Sequence, residues 1–252
     1  MKTKPIATAI AALLLSACGG GGSGSPGLGG GSNSQGVTYN YVAPKPGQTQ
    51  SYVYNTTDIA NDSGTYKYTE TITSVNADNS YIANWVPLQS TYPIGGNVSG
   101  STTPETDTYN PNGEITRFAA TGAASSNDCT YVYAAGGRPA QLSQGQSWNE
   151  SYNYQCGQNS TVETITGTFV GVESVTVPAG TFNAYKFQYS GSYPIVDQTA
   201  PNATASFTMT IWLDADPASV RRVRQTRQTT YSGFTAPGGY EATNDMQLTA
   251  YQ

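Results

Sequence analysis

The chain holds 252 residues and not one histidine, so any chemistry must run without the commonest general base and zinc ligand. No lysine stands at Ser-x-x-Lys spacing, so a second familiar nucleophile system is missing along with Ser-His-Asp. What remains is carboxylates, tyrosines, arginines and three cysteines. Asp214 and Asp216 flank Ala215, and paired carboxylates can serve glycosidic cleavage or hold calcium. Just ahead of Pro217, however, Asp commonly closes a turn through local hydrogen bonds, and the remaining oxygen ligands of an EF-hand are absent. No catalytic residue, metal ligand or cofactor is assigned, and the chain reads as a non-enzyme. The alternative is a carboxylate-dependent glycan hydrolase, with Glu and Asp acting in a cleft lined by Tyr and Trp.

Tyrosine is conspicuous, with nineteen copies, and five pairs stand two residues apart: Tyr39/Tyr41, Tyr52/Tyr54, Tyr66/Tyr68, Tyr131/Tyr133 and Tyr152/Tyr154. Rows of this kind can stack sugars or line an acyl pocket, but Tyr is also a good strand former that packs its ring and leaves its oxygen wet. The structural role weighs more. Arg221, Arg222, Arg224 and Arg227 lie within seven positions. On a strand, alternation puts Arg222 with Arg224 and Arg221 with Arg227. Such a cluster can meet phosphates or an acidic partner, or, more plainly, keep an exposed strand from pairing at its edge.

Charged residues make up only 11% of the chain against a norm of about 25%. Eleven Lys and Arg face sixteen Asp and Glu, a net charge of −5, which leaves no basic patch for nucleic acid.

The N-terminus carries an address. Residues 1–17 combine Lys2 and Lys4 with a short apolar run from Ile6, too brief to cross a bilayer. Leu15-Ser16-Ala17-Cys18 resembles the lipobox of bacterial lipoproteins. That resemblance implies cleavage before Cys18, a diacylglycerol on its sulfur and an acyl chain such as palmitate on its new amine. Several chains on one residue suffice for lasting attachment, where one does not. Gly19 in place of Asp resembles sorting to the outer membrane. Residues 18–36 then form the lipidated cysteine and a Gly/Ser-rich flexible tether, with a reach of about 20 to 25 Å. The Gly-x-Gly-x-x-Gly at 22–27 has no flanking strand and helix, so it is compositional.

Residues 37–252 read as a single antiparallel β domain. Apolar and polar residues alternate in 37–41, 52–54, 66–72, 81–85, 114–118, 129–133 and 147–156, then in 161–177, 181–190, 204–213, 220–231 and 241–251. Asn110-Pro111-Asn112-Gly113 and Pro178-Ala179-Gly180 read as hairpin turns. No sustained helical period follows the leader. The expected fold is all-β, an antiparallel and strongly twisted sheet forming an open or closed barrel, with a two-sheet sandwich as alternative.

Cys129 and Cys156 remain after lipidation, in a compartment that permits oxidation. If they join, Tyr131 faces Tyr154 and Tyr133 faces Tyr152. A loop of that length contributes about 3 to 4 kcal/mol in the chain-entropy view. Two buried free thiols are the alternative.

The stretch 175–182, Val-Thr-Val-Pro-Ala-Gly-Thr-Phe, with Ala184, Tyr185 and Lys186 after it, resembles a recurrent segment of uncharacterised β-rich envelope proteins of Gram-negative bacteria, many of them lipoproteins. Residues 142–148 and 212–222 are similar to segments flanking it, although Ala218-Ser219 replaces the Gly usual before the Val-Arg step. The resemblance implies fold and location and supplies no catalytic residues. The expected function is that of a membrane-anchored outer-membrane lipoprotein, a binding module for an apolar or glycan ligand or an envelope partner. A purely structural or adhesive surface protein is a further alternative.

Overall fold

A computed structural model describes residues 36–90, 104–120, 128–135, 137–156, 159–195, 202–218, 221–233 and 240–252. The leader 1–17, Cys18 and the tether as far as residue 35 lie outside the described residues. The strands are β1 (Thr38–Asn40), β2 (Thr49–Asp58), β3 (Ser63–Val75), β4 (Tyr81–Ser90), β5 (Glu105–Tyr109), β6 (Ile115–Ala120), β7 (Asp128–Ala135), β8 (Gln141–Ser143), β9 (Ser147–Cys156), β10 (Asn159–Val177), β11 (Gly180–Pro194), β12 (Thr204–Asp214), β13 (Arg222–Ser232) and β14 (Glu241–Tyr251). No helix occurs among the described residues.

Twelve of these strands close into one antiparallel barrel, ordered β10-β11-β12-β13-β14-β2-β3-β4-β5-β6-β7-β9, and β9 returns to β10. The sandwich alternative is not realised. Period-two alternation explains the wall: on β12, Ala205, Phe207, Met209, Ile211 and Leu213 are buried, while Thr204, Ser206 and Thr208 between them are exposed. On β2 the inward row is Gln50, Tyr52, Tyr54, Thr56 and Asp58. Hydroxyl pairs tie the outer faces of neighbouring strands, as in Ser51 with Thr69 at 3.1 Å and Thr176 with Thr181 at 2.9 Å.

Both anticipated turns are present. Asn110 Oδ1 accepts from the backbone N–H of Asn112 and Glu114, and Gly113 takes φ 75°. A Cβ there would also meet the Tyr41 ring, so the position needs glycine twice over. Between β7 and β9, Cys129 lies opposite Cys156, Tyr131 opposite Tyr154 and Tyr133 opposite Tyr152, the expected register. The strand β8 was not anticipated as an element of its own. It pairs with β1 into a two-stranded ribbon, with Tyr39 opposite Leu142 and both buried in the core. The Tyr39 ring meets Phe187 at 4.9 Å and Tyr185 at 5.2 Å. The ribbon plugs the end of the barrel that carries the β5–β6 and β10–β11 turns.

The lumen is filled by rings. Tyr81 and Tyr109, cross-strand partners, stack at 4.3 Å, and Tyr68 stacks on Trp85 at 4.0 Å. The 19-residue β10 bends at a register shift between Phe169 and Gly171. Its second half then reaches across the lumen, where Val175 and Val177 join Val223, Met246, Leu248, Tyr52 and Tyr54 in one apolar cluster. The second half of β10 thus lies close to β13 and β14 as well as to its sheet neighbours.

Gly167 sits opposite Trp148, whose indole occupies the space a Cβ would need. Gly167→Ala should therefore lower stability by about 1 to 3 kcal/mol through overpacking, read as a lower urea midpoint with unchanged m-value.

Candidate functional site

Two places collect polar groups: the interior, where charges are buried among tyrosines, and a groove on the outer wall. Inside, Arg138 is 1% exposed and lies 5.4 Å from the Tyr39 ring centroid and 5.6 Å from that of Phe187. Its Nη2 donates to the Asn112 carbonyl at 2.7 Å, and its backbone N–H donates to Glu114 Oε1 at 2.9 Å. These bonds latch the plug to the β5–β6 turn. Glu114 also accepts from Asn110 Nδ2. Burial pushes the Glu114 carboxyl up to about 7, with Asn110 and Arg138 pulling the other way. For Arg138, burial works against the charge, but Tyr39, Tyr189, Glu114 and Tyr41 more than offset it and the guanidinium stays protonated.

A second set surrounds Tyr109, whose hydroxyl lies 3.2 Å from Glu70 Oε1 and 3.3 Å from Asp107 Oδ2. Burial raises both carboxyls; the Arg222 charge draws Glu70 back, while Glu70 itself drives Asp107 further up. Arg222 is kept charged by Tyr68, Tyr109, Tyr52 and Glu70, although burial opposes it. In a third set, Arg227 packs over Phe207 at 4.0 Å, with Tyr193, Glu163 and Glu241 offsetting its burial. Burial raises Glu163 to about 6 against the pull of Arg227 and of the Tyr152 hydroxyl that donates to it. Glu241 accepts from Tyr54 at 2.6 Å and Thr56 at 3.0 Å.

Outside, a groove of about 690 Å³ crosses β12, β13, β14, β2 and β3. β13 and β14 pair over five positions, from Arg224 opposite Gln247 to Gln228 opposite Thr243. The groove is floored by hydroxyls and amides: Thr57, Thr65, Thr208, Thr210, Thr226 and Gln228 among them. Arg224 forms a bidentate pair with Asp245 at 2.9 Å on both arms, and Gln247 Nε2 donates to the same carboxylate at 2.8 Å. Arg224 lies 5.6 Å from the ring of its cross-strand partner Trp212, and Lys186 lies equally far from that ring. Trp212 Nε1 donates to Glu173 at 2.6 Å.

The arginine cluster departs from expectation. β13 is bonded on both sides, so its charges guard no edge. Arg222 does not share the outer face with Arg224. The register shift at Trp212/Leu213 turns it inward, where it meets Met246, Tyr52 and Glu70. Arg227 is inside, and Arg221 pairs with Asp214 at 3.2 Å and covers the Tyr251 ring at 3.7 Å. Asp214 and Asp216 close a turn, accepting from the Asp216 and Ala218 N–H groups. Among the described residues no His, Cys, Asp and Glu set could hold a metal. Tyr39, Tyr52, Tyr54, Tyr68, Tyr131 and Tyr152 are buried lumen filling. Missed from sequence were Glu70, Glu150 and Glu163, although each shares strand parity with apolar neighbours: Tyr68 and Ile72, Trp148 and Tyr152, Ile165 and Phe169.

No protein-family profile matches the chain, and no curated protein matches it by sequence. Among solved structures it is similar to a protein from Bacteroides fragilis described as exported and of YmcC-like fold, at 12% identity and TM-score 0.48, over 85% of this chain and 99% of that one. A protein described as a lipoprotein from Parabacteroides distasonis matches at 12% identity and TM-score 0.41 over 85% and 99%. The hypothetical lipoprotein YmcC from Escherichia coli matches at 11% identity and TM-score 0.39 over 83% and 89%.

A carboxyl raised from 4.5 to about 7 on folding makes the native state bind the extra proton, so the contribution of Glu114 is full below pH 4.5 and fades as pH rises to 7. In chemical unfolding from pH 4.5 to 7, Glu114→Gln should show a shallower loss of stability than the parent protein.

Proposed function

We propose that this protein is a non-enzymatic outer-membrane lipoprotein, anchored through acyl chains on Cys18, and that it binds an envelope glycan in the groove on its outer wall. The groove carries this reading. It presents hydroxyls, amides and a planar Arg224–Asp245 pair flanked by Trp212, groups that match the donors, acceptors and flat faces of sugars. An apolar ligand inside the barrel has little support, because tyrosine rings and charges occupy the lumen and the cavity among them holds about 40 Å³.

The hydrolase alternative draws on Glu70 and Asp107 around Tyr109. Both are buried, and a cavity of that size is too small for a sugar ring. The lipobox at Leu15-Ser16-Ala17-Cys18 supports the anchor. The tether 18–36 leads directly into β1, so membrane attachment enters at the plugged end. We assign a disulfide to Cys129 and Cys156 on the strength of their direct opposition across β7 and β9.

Three measurements test this. In isothermal titration with lipopolysaccharide-derived polysaccharide and soluble peptidoglycan fragments, the protein should bind one of them, and Arg224→Ala or Asp245→Ala should weaken binding about tenfold or more without unfolding. Equal binding by the variants removes the groove from the account, and no binding to either glycan removes the reading. Cys18→Ser should move the protein from the detergent phase to the aqueous phase. Alkylation of the denatured protein without reductant should leave Cys129 and Cys156 unmodified, whereas modification of both would mean free thiols.

A further inference from the structure

We propose a binding site for one small monovalent anion, of the size and charge of chloride, in the cavity between the plug and the barrel. This inference stands apart from the glycan reading. The cavity measures about 40 Å³, room for one or two water-sized species, and Arg138, Arg221 and Arg222 all line it. Their free donors are the evidence: Arg138 Nε and Nη1, Arg221 Nη1 and Arg222 Nε are buried and make no hydrogen bond. Guanidinium groups only donate, so these four N–H-bearing atoms need an acceptor.

Two of the neighbouring acceptors are already engaged, and the Tyr41 hydroxyl on the same wall is buried without a partner and can itself donate to an anion. Gln50 Oε1 takes the Tyr52 hydroxyl at 2.6 Å, Glu70 Oε1 takes Trp85 Nε1 and the Tyr109 hydroxyl, and Asp214 is held by Arg221 at 3.2 Å. Three positive charges thus surround a space bordered by one carboxylate, Glu70, with Glu114 behind Arg138 tending to neutrality as the pH falls. A bare anion accepts from every direction and returns no proton that would need a further acceptor, whereas water brings two. Tyr41, Tyr52, Tyr81 and Tyr109 also border the space. Because Arg138 belongs to the plug segment and Arg221 and Arg222 to the wall, the ion would bridge them and fasten the ribbon in place.

Two measurements on the full-length detergent-solubilised protein decide it. Crystals grown in sodium bromide should show an anomalous peak in this cavity, within hydrogen-bond reach of at least two of the three guanidiniums. At matched ionic strength, sodium chloride should raise the melting midpoint over sodium gluconate, whose anion is too large to enter. The rise should be saturable, with a plateau of about 5 °C. Arg221→Gln, at the edge of the cavity, should shift the half-saturating chloride concentration upward about tenfold while leaving the protein folded. A cavity holding only water density in bromide, or identical midpoints in chloride and gluconate, overturns the proposal.

Discussion

The barrel depends on keeping three guanidiniums charged while they are largely out of water. Arg138, Arg222 and Arg227 each face a desolvation penalty that would be severe for an isolated cation, and each is surrounded by tyrosines and carboxyls that offset it. Arg suits this task because its broad, weakly hydrated plane can lie against rings while its edge donates hydrogen bonds. The tyrosines serve twice, filling volume and placing hydroxyl oxygens beside the charges. An apolar barrel of this width could leave a hollow for a ligand; here rings, carboxyls and guanidiniums occupy it.

The outer wall differs in chemistry from the filled lumen. The second half of β10 packs across the interior, where Val175 and Val177 meet Val223, Met246 and Leu248 of β13 and β14. A groove of about 690 Å³ lies on the polar face of the sheet, lined largely by Thr, Asn and Gln side chains and the Arg224–Asp245 pair. A polar surface of this kind matches a polar ligand better than an apolar one.

Strand identity and facing were legible because one inward row and one outward row make a period of two, which survives without any alignment. The register of β7 on β9 was legible too, since two cysteines and two tyrosine pairs fix one constant sum. Closure was not, because it rests on β9 meeting β10 while β14 meets β2, pairings set by twist and length rather than by any local motif. The inward turn of Arg222 was hidden by a single register shift, enough to break the parity rule. Arg138 lies outside any strand, so no periodicity marked it as buried. Glu70, Glu150 and Glu163 did carry a signal: a carboxylate in the inward row of an aromatic strand is a buried charge in search of a partner.

The central claim is that the lumen is packed with the protein's own side chains. Native mass spectrometry of the protein purified from membranes tests it most directly. The account predicts that no fatty acid, phospholipid or other organic molecule is retained inside the barrel. A stoichiometric, non-covalently bound fatty acid or phospholipid that persists after delipidating washes would contradict it.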